Sequence, residues 1–192
     1  MAGSLGPVRW LGSQSATLRH ETQWRRAVNH IWAPWRMGYV TAEQPKGCIF
    51  CTKPAAGDDE GNQILYRGEL VFIMMNAFPY NTGHLMVAPF RHLADPLALA
   101  PQESSELLYG IRVALEALKD AFSPEGFNIG MNVGHVAGAG YAEHLHLHVV
   151  PRWSGDTNFM AVTADTRVVP EALAETYRRL RKALVPEGKR KK

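Results

Sequence analysis

Within the stretch 143–153, polar and apolar positions alternate from 144 to 149. His144, His146 and His148 take every second place, with Leu145, Leu147 and Val149 between them. Such alternation predicts a strand with one buried face. Side chains two apart on a strand share a face, so three imidazoles stand in a row opposite an aliphatic surface. Residues 127–133 alternate likewise: Phe127, Ile129, Met131 and Val133 on one side, Asn128, Gly130 and Asn132 on the other. Asn132 thus falls on the same kind of polar face as the histidines. Residues 70–78 contain the apolar run 70–75 of a well-buried strand, and 64–66 and 84–90 read as further strands. Pro79-Tyr80-Asn81-Thr82-Gly83 is turn chemistry joining two of them as a hairpin.

Two segments have helical period instead. Residues 102–122 place Leu107, Leu108, Ile111, Leu115, Leu118 and Phe122 on one stripe. Pro101 suits the first helical position, and Ser123-Pro124 supplies the stop. From residue 170 to about 184, Leu173, Tyr177, Leu180 and Leu184 form a second stripe. Its cations, Arg178, Arg179, Arg181 and Lys182, lie toward the C-terminal end, where the helix dipole favours them. The pattern predicts an α+β fold, an antiparallel sheet of about five strands with helices packed on one face.

The 192 residues are 46% hydrophobic and 20% charged, which suits one globular domain with a sizeable core. The expected organisation is a flexible leader at 1–22, a single domain at 23–185 and a basic tail at 186–192. The formal net charge of +3 fits an anionic partner but is no nucleic-acid signature. Aromatics interleave with arginines only in the segment 24–39, which carries Trp24, Arg25, Arg26, Trp32, Trp35 and Arg36, so nucleic acid is not the expected partner. No run of about 18 apolar residues predicts a membrane span. The start lacks the pattern of a secretory signal, so a cytoplasmic setting is expected and a membrane partner is not.

Cys48 and Cys51 form a C-x-x-C pair after Lys46-Gly47. Spacing alone leaves three readings open: a shared metal, a redox pair, or two buried thiols. A closed zinc site takes four ligands, so the other two would have to be histidines. The residues after the pair, Lys53-Pro54 onward, read as a polar loop rather than the helix of a redox motif. The glycine-rich stretch 134–141 contains Gly138, Ala139 and Gly140, whose backbone amides can cradle phosphate just ahead of the histidine strand.

The run His144-Leu145-His146-Leu147-His148-Val149-Val150, with the flanking stretches 83–92 and 149–160, resembles the histidine-triad (HIT) superfamily. Within it, these residues look like the bacterial branch related to diadenosine tetraphosphate phosphorylases and hydrolases. The resemblance covers about residues 30–165 and implies a HIT-like fold, a homodimer and cleavage of a dinucleoside polyphosphate at an α-phosphate. It implies structural zinc on Cys48, Cys51, His92 and His144, and magnesium arriving with the nucleotide. His146 becomes the nucleophile, forming a nucleotidyl-histidine, and His148 a donor to the phosphate oxygens. Asn76 matches a ribose-contacting position, and His84 an orienting one. Phe72 and Met74 pack on the base or form plain core, Asn132 faces the site, and Trp153 begins a loop that closes over the site or crosses a dimer interface. Relatives carry Gln or Ser four residues before the triad. Here that residue is Gly140, flanked by Ala139 and Tyr141, so neither water nor phosphate is assigned as acceptor. The rival class is a non-catalytic, zinc-stabilised protein that binds nucleotide or nucleic acid without turnover.

Overall fold

The computed structural model describes residues 47–156 and 171–184. The leader, the Trp/Arg segment 24–39, the loop beyond residue 156 and the basic tail lie outside the described residues. Helix α1 (Ile49–Ala55) is followed by strands β1 (Ile64–Arg67), β2 (Val71–Met75) and β3 (Leu85–Pro89). Helix α2 (Pro101–Phe122), strands β4 (Gly126–Gly130) and β5 (Leu147–Arg152), and helix α3 (Leu173–Ala183) complete the order. The five strands form one antiparallel sheet, ordered β1-β2-β3-β5-β4. The antiparallel five-stranded sheet is the one the alternation predicts; α2 and α3 share the expected face, and the short α1 lies on the other. Among the described residues, no helix is long and apolar enough to cross a membrane.

Both faces of the sheet are covered. Val71, Ile73, Met75, Leu85, Val87, Leu145, Leu147 and Val149 pack with Leu107, Ala114 and Leu118 of α2 and with Tyr177 and Leu180 of α3. On the other face, Phe72, Met74, Met86 and Ala88 meet Phe50 of α1. The period of two thus sorts each strand between a helix-covered side and a site side.

Helix α2 approaches the sheet closely because position 110 has no side chain. A Cβ on Gly110 would lie 2.8 Å from Val87 Cγ1. The buried line runs through Leu107, Gly110, Ala114, Ala117 and Leu118, while Leu108 is 68% exposed. The predicted stripe is therefore corrected at Leu108: small residues, invisible to a count of large apolar ones, set the contact angle. The N-cap, Ala100, has no side-chain acceptor, but Glu103 reaches back to its N–H at 2.8 Å. Arg91 grips the same carboxylate from the sheet side, at 2.6 and 2.8 Å.

Two boundaries move. The C-x-x-C pair opens a short helix, α1, which runs through Pro54 to Ala55, where a polar loop is expected from the composition. The histidine strand enters the ladder only at Leu147, not at residue 143. The reason is local: the His144 carbonyl accepts the His146 ring N–H at 2.8 Å, and the Leu145 N–H reaches past the end of β3 to the Leu93 carbonyl at 2.6 Å. The side chains still alternate, so the three histidines keep one face.

Candidate functional site

Three elements converge on the histidine face: the start of α1, the end of β3, and the segment leading into β5. Cys48 caps α1 and Cys51 lies in its first turn. His92 follows β3. Their donor atoms meet His144, all four within 4.8 Å of one another. His144 Nδ1 lies 3.3 Å from Cys48 Sγ, 3.5 Å from Cys51 Sγ and 3.2 Å from His92 Nδ1, and Cys51 Sγ lies 3.4 Å from His92 Nδ1. Ligands on a tetrahedron about 2.0–2.3 Å from zinc stand roughly 3.3–3.8 Å apart, so these spacings suit that ion. The donor state agrees. His144 Nε2 is 2.9 Å from the Pro89 carbonyl, which can only accept, so the proton is on Nε2 and Nδ1 offers its lone pair. Burial, then the adjoining Cys48, pushes the Cys51 thiol pKa up. A divalent cation between the sulfurs would reverse that balance. Of the three readings left open for the cysteines, a shared metal is the one this four-donor cluster fits.

The middle histidine has the opposite tautomer. His146 Nδ1 donates to the His144 carbonyl at 2.8 Å, so Nε2 carries the lone pair. Burial pushes its pKa down against the pull of that carbonyl, which keeps the ring neutral near pH 7. The Phe50 ring stacks on it, with centroids 4.5 Å apart and planes at 24°.

The last histidine is set by a relay. The Tyr80 backbone N–H donates to His84 Nδ1 at 3.1 Å. The His84 proton therefore sits on Nε2, which lies 2.9 Å from His148 Nδ1. His148 accepts there and carries its own proton on Nε2. His84 is held neutral by burial and then by the neighbouring His148 and His146, its pKa falling to about 3. Tyr80 stacks on the His84 ring, centroids 4.7 Å apart. Gly83 permits the tight entry to this turn: its φ is +80°, and a Cβ would lie 2.9 Å from Leu118 Cδ2.

The other expected residues divide. Asn76 ends β2 beside His84, half-buried, its Oδ1 accepting the Phe78 N–H at 2.9 Å. Phe72 is fully buried and stacked on Phe90, centroids 5.1 Å apart, and Met74 lies in the same cluster. Pairing of Gly130 with His148 carries Asn132 to the histidine face, where its Nδ2 donates to the Gly138 carbonyl at 3.4 Å. In the glycine-rich loop the Gly138 and Ala139 amides already donate, to the His135 carbonyl at 2.9 Å and the Gly134 carbonyl at 3.4 Å. A phosphate would compete with those bonds. Trp153 follows the far end of β5, its N–H held by Asp156 at 3.2 Å. Sequence reasoning did not single out Phe50, Tyr80 or Asp156. Phe50 had a signal, being the one aromatic residue between the two cysteines. Tyr80 acts through its backbone, and Asp156, besides its local pair with Arg152, through a bond to Asn81 that lies 75 positions away in sequence.

Comparison with known proteins gives a consistent picture. The HIT domain family model matches residues 59–155. A Mycobacterium tuberculosis protein named AP-4-A phosphorylase is 40% identical over 166 residues, covering 81% of this chain and 84% of its own. The asymmetrical bis(5'-nucleosyl)-tetraphosphatase of Schizosaccharomyces pombe is 32% identical over 112 residues, 58% of each chain. The crystal structure of a Zn-bound histidine triad family protein from Mycobacterium smegmatis superposes with a TM-score of 0.57 at 27% identity. That alignment covers 72% of this chain and 93% of the other.

Proposed function

The chain belongs to the HIT domain family, and on that premise we propose that it is an enzyme cleaving dinucleoside polyphosphates such as diadenosine tetraphosphate through a nucleotide covalently held on His146. The observation that carries this is the His146 tautomer: Nδ1 is committed to the His144 carbonyl, and Nε2 is a neutral nitrogen nucleophile. Nε2 attacks the α-phosphorus, and the bond from phosphorus to the bridging oxygen breaks, its electron pair leaving with the rest of the polyphosphate. An acceptor oxygen, from water or inorganic phosphate, then attacks phosphorus. The P–N bond breaks and returns its pair to Nε2. His148 donates from Nε2 to the phosphate oxygens, where charge grows.

Cys48, Cys51, His92 and His144 would hold zinc, which ties α1 to the histidine segment and takes no part in the displacement. Asn76 would contact ribose. Phe72, backing Phe90, would form the floor beneath the base. Asn132, the loop 138–140 and Trp153 would line the rim, and magnesium would enter with the polyphosphate. We assign residues 23–185 to one domain, since α3, beyond the matched region, packs its Tyr177 and Leu180 into the same core as β1 to β3. A homodimer through the open β4 edge completes the proposal. There Ile129, Met131 and Val133 are exposed, apolar side chains on a strand end with no outer neighbour among the described residues.

The test is product analysis with diadenosine tetraphosphate, with and without inorganic phosphate. ATP with ADP would identify a phosphorylase, and ATP with AMP a hydrolase. Acid-labile adenylate on the wild-type protein but not on His146→Ala is expected. Wild-type protein that neither turns over nor takes up label would refute the proposal.

A further inference from the structure

Phe50 lies between the two cysteines and is 1% exposed. It belongs to the site-side core with Phe72, Met74 and Met86, and of its ring contacts the nearest is the imidazole of His146, at 4.5 Å and 24°. The same ring meets His144 at 5.2 Å and Tyr141 edge-on at 5.9 Å. The hydrogen bond from His146 Nδ1 to the His144 carbonyl fixes the imidazole along its own plane. It does little against tilting about that bond. A flat ring packed face to face supplies the missing restraint, because tilting would open a gap or force an overlap. Two restraints at right angles leave the Nε2 lone pair one direction. Cys48 and Cys51, on either side of Phe50, meet His144 and His92, so the ring's own backbone is clamped at both ends.

We propose that Phe50 is a positioning residue for His146, and that the cysteine pair serves to hold its ring against the imidazole. The proposal rests on the reading of His146 as nucleophile. It gives the four-ligand cluster a definite effect on the reacting nitrogen without contact to substrate.

The test compares wild type with Phe50→Leu, which keeps apolar bulk but removes the flat face, and with Phe50→Met should the first fail to fold. Histidine-labelled NMR reads the ring protons of His146. In wild type they are expected upfield, under the Phe50 ring current, and to return toward ordinary values in the variant and on removal of zinc by chelation. In single-turnover reactions with diadenosine tetraphosphate, adenylate loading should slow about 10- to 100-fold in the variant. KM should change by less than about threefold, with the zinc content unchanged. Loading at the wild-type rate, a rise in KM alone, or His146 protons unmoved by the substitution would overturn the proposal. An upfield shift that survives chelation would remove the cysteines' share in it. Wild-type protein that never loads nucleotide would sink the function reading instead, and the ring-proton shift would then decide the role of Phe50 by itself.

Discussion

His84 Nε2 lies 2.9 Å from His148 Nδ1, and a backbone N–H on the other side of His84 fixes the direction in which that proton is given. The tautomer of His148 is thereby set by a peptide group five positions before the hairpin's second strand. His84→Ala should leave His148 free to invert its tautomer and present a lone pair to the phosphate. We expect the rate of turnover to fall about 10- to 100-fold, as for loss of a donor to developing charge, with a smaller change in KM. Equal loss in KM and none in kcat would show that His84 serves binding alone.

The same histidine makes stability depend on pH. Its pKa is near 6.5 unfolded and about 3 folded. Between those values the unfolded chain binds a proton that the folded chain refuses, so stability is full above pH 6.5 and declines on acidification toward 3. His144 and His146 are shifted in the same direction by burial. Denaturant melts at pH 7, 6 and 5 should lose stability stepwise. His84→Gln should reduce that slope by up to about 1.4 kcal/mol per pH unit. An unchanged slope would place the titrating group elsewhere.

Glu103 sits at a joint between sheet and helix. Arg91 and the Ala100 N–H hold its carboxyl down to about 2. Its contribution is present above about pH 4.5 and is lost as pH falls toward 2. Glu103→Gln should cost roughly 1–2 kcal/mol at pH 7, the lower part of the range for charge-assisted bonds because Arg91 is half exposed. The gap between variant and wild type should narrow at pH 3. A gap that stays constant with pH would argue for the cap alone.

Metal content offers a separate check. The purified chain should carry one zinc, and Cys51→Ala or His92→Ala should lose it. Chelation should remove about 3–5 kcal/mol of linked stability and lower Tm by on the order of 10 °C. Cobalt in its place should give the absorption of a tetrahedral site with two thiolates. Unaltered Tm on chelation would refute the metal assignment.

The open edge predicts association. Ile129→Lys should convert a dimer to a monomer in sedimentation, since a charge on an exposed edge strand opposes pairing. A wild-type monomer at micromolar concentration would end that expectation.

Much of this was legible in the chain. The alternation of Leu145, Leu147 and Val149 with three histidines named the two sides correctly, because one residue of slip would drive imidazoles into the apolar core under α2 and α3 and put leucines on the site side. The ligand set came from resemblance, and the distances between Cys48, Cys51, His92 and His144 now support it geometrically. What stayed hidden was set by contacts far apart in sequence or by missing side chains. Gly110 decides where α2 sits, yet contributes nothing to a hydrophobic stripe. Leu108 matches the stripe and points outward. The Tyr80 amide and the Phe50 stack depend on the hairpin and the C-x-x-C helix arriving at the same place, which no local window reports.

The histidine motif is split by where its ladder begins. His148 stands on β5 and pairs with both neighbouring strands, whereas His144 and His146 precede the strand. Backbone from 147 onward should exchange its amide hydrogens only when the whole sheet opens, and the residues just before it in smaller, faster fluctuations. His146, the residue proposed to take the nucleotide, is therefore held one step outside the ladder by its own contacts, the Phe50 stack and the His144 carbonyl, and not by strand pairing.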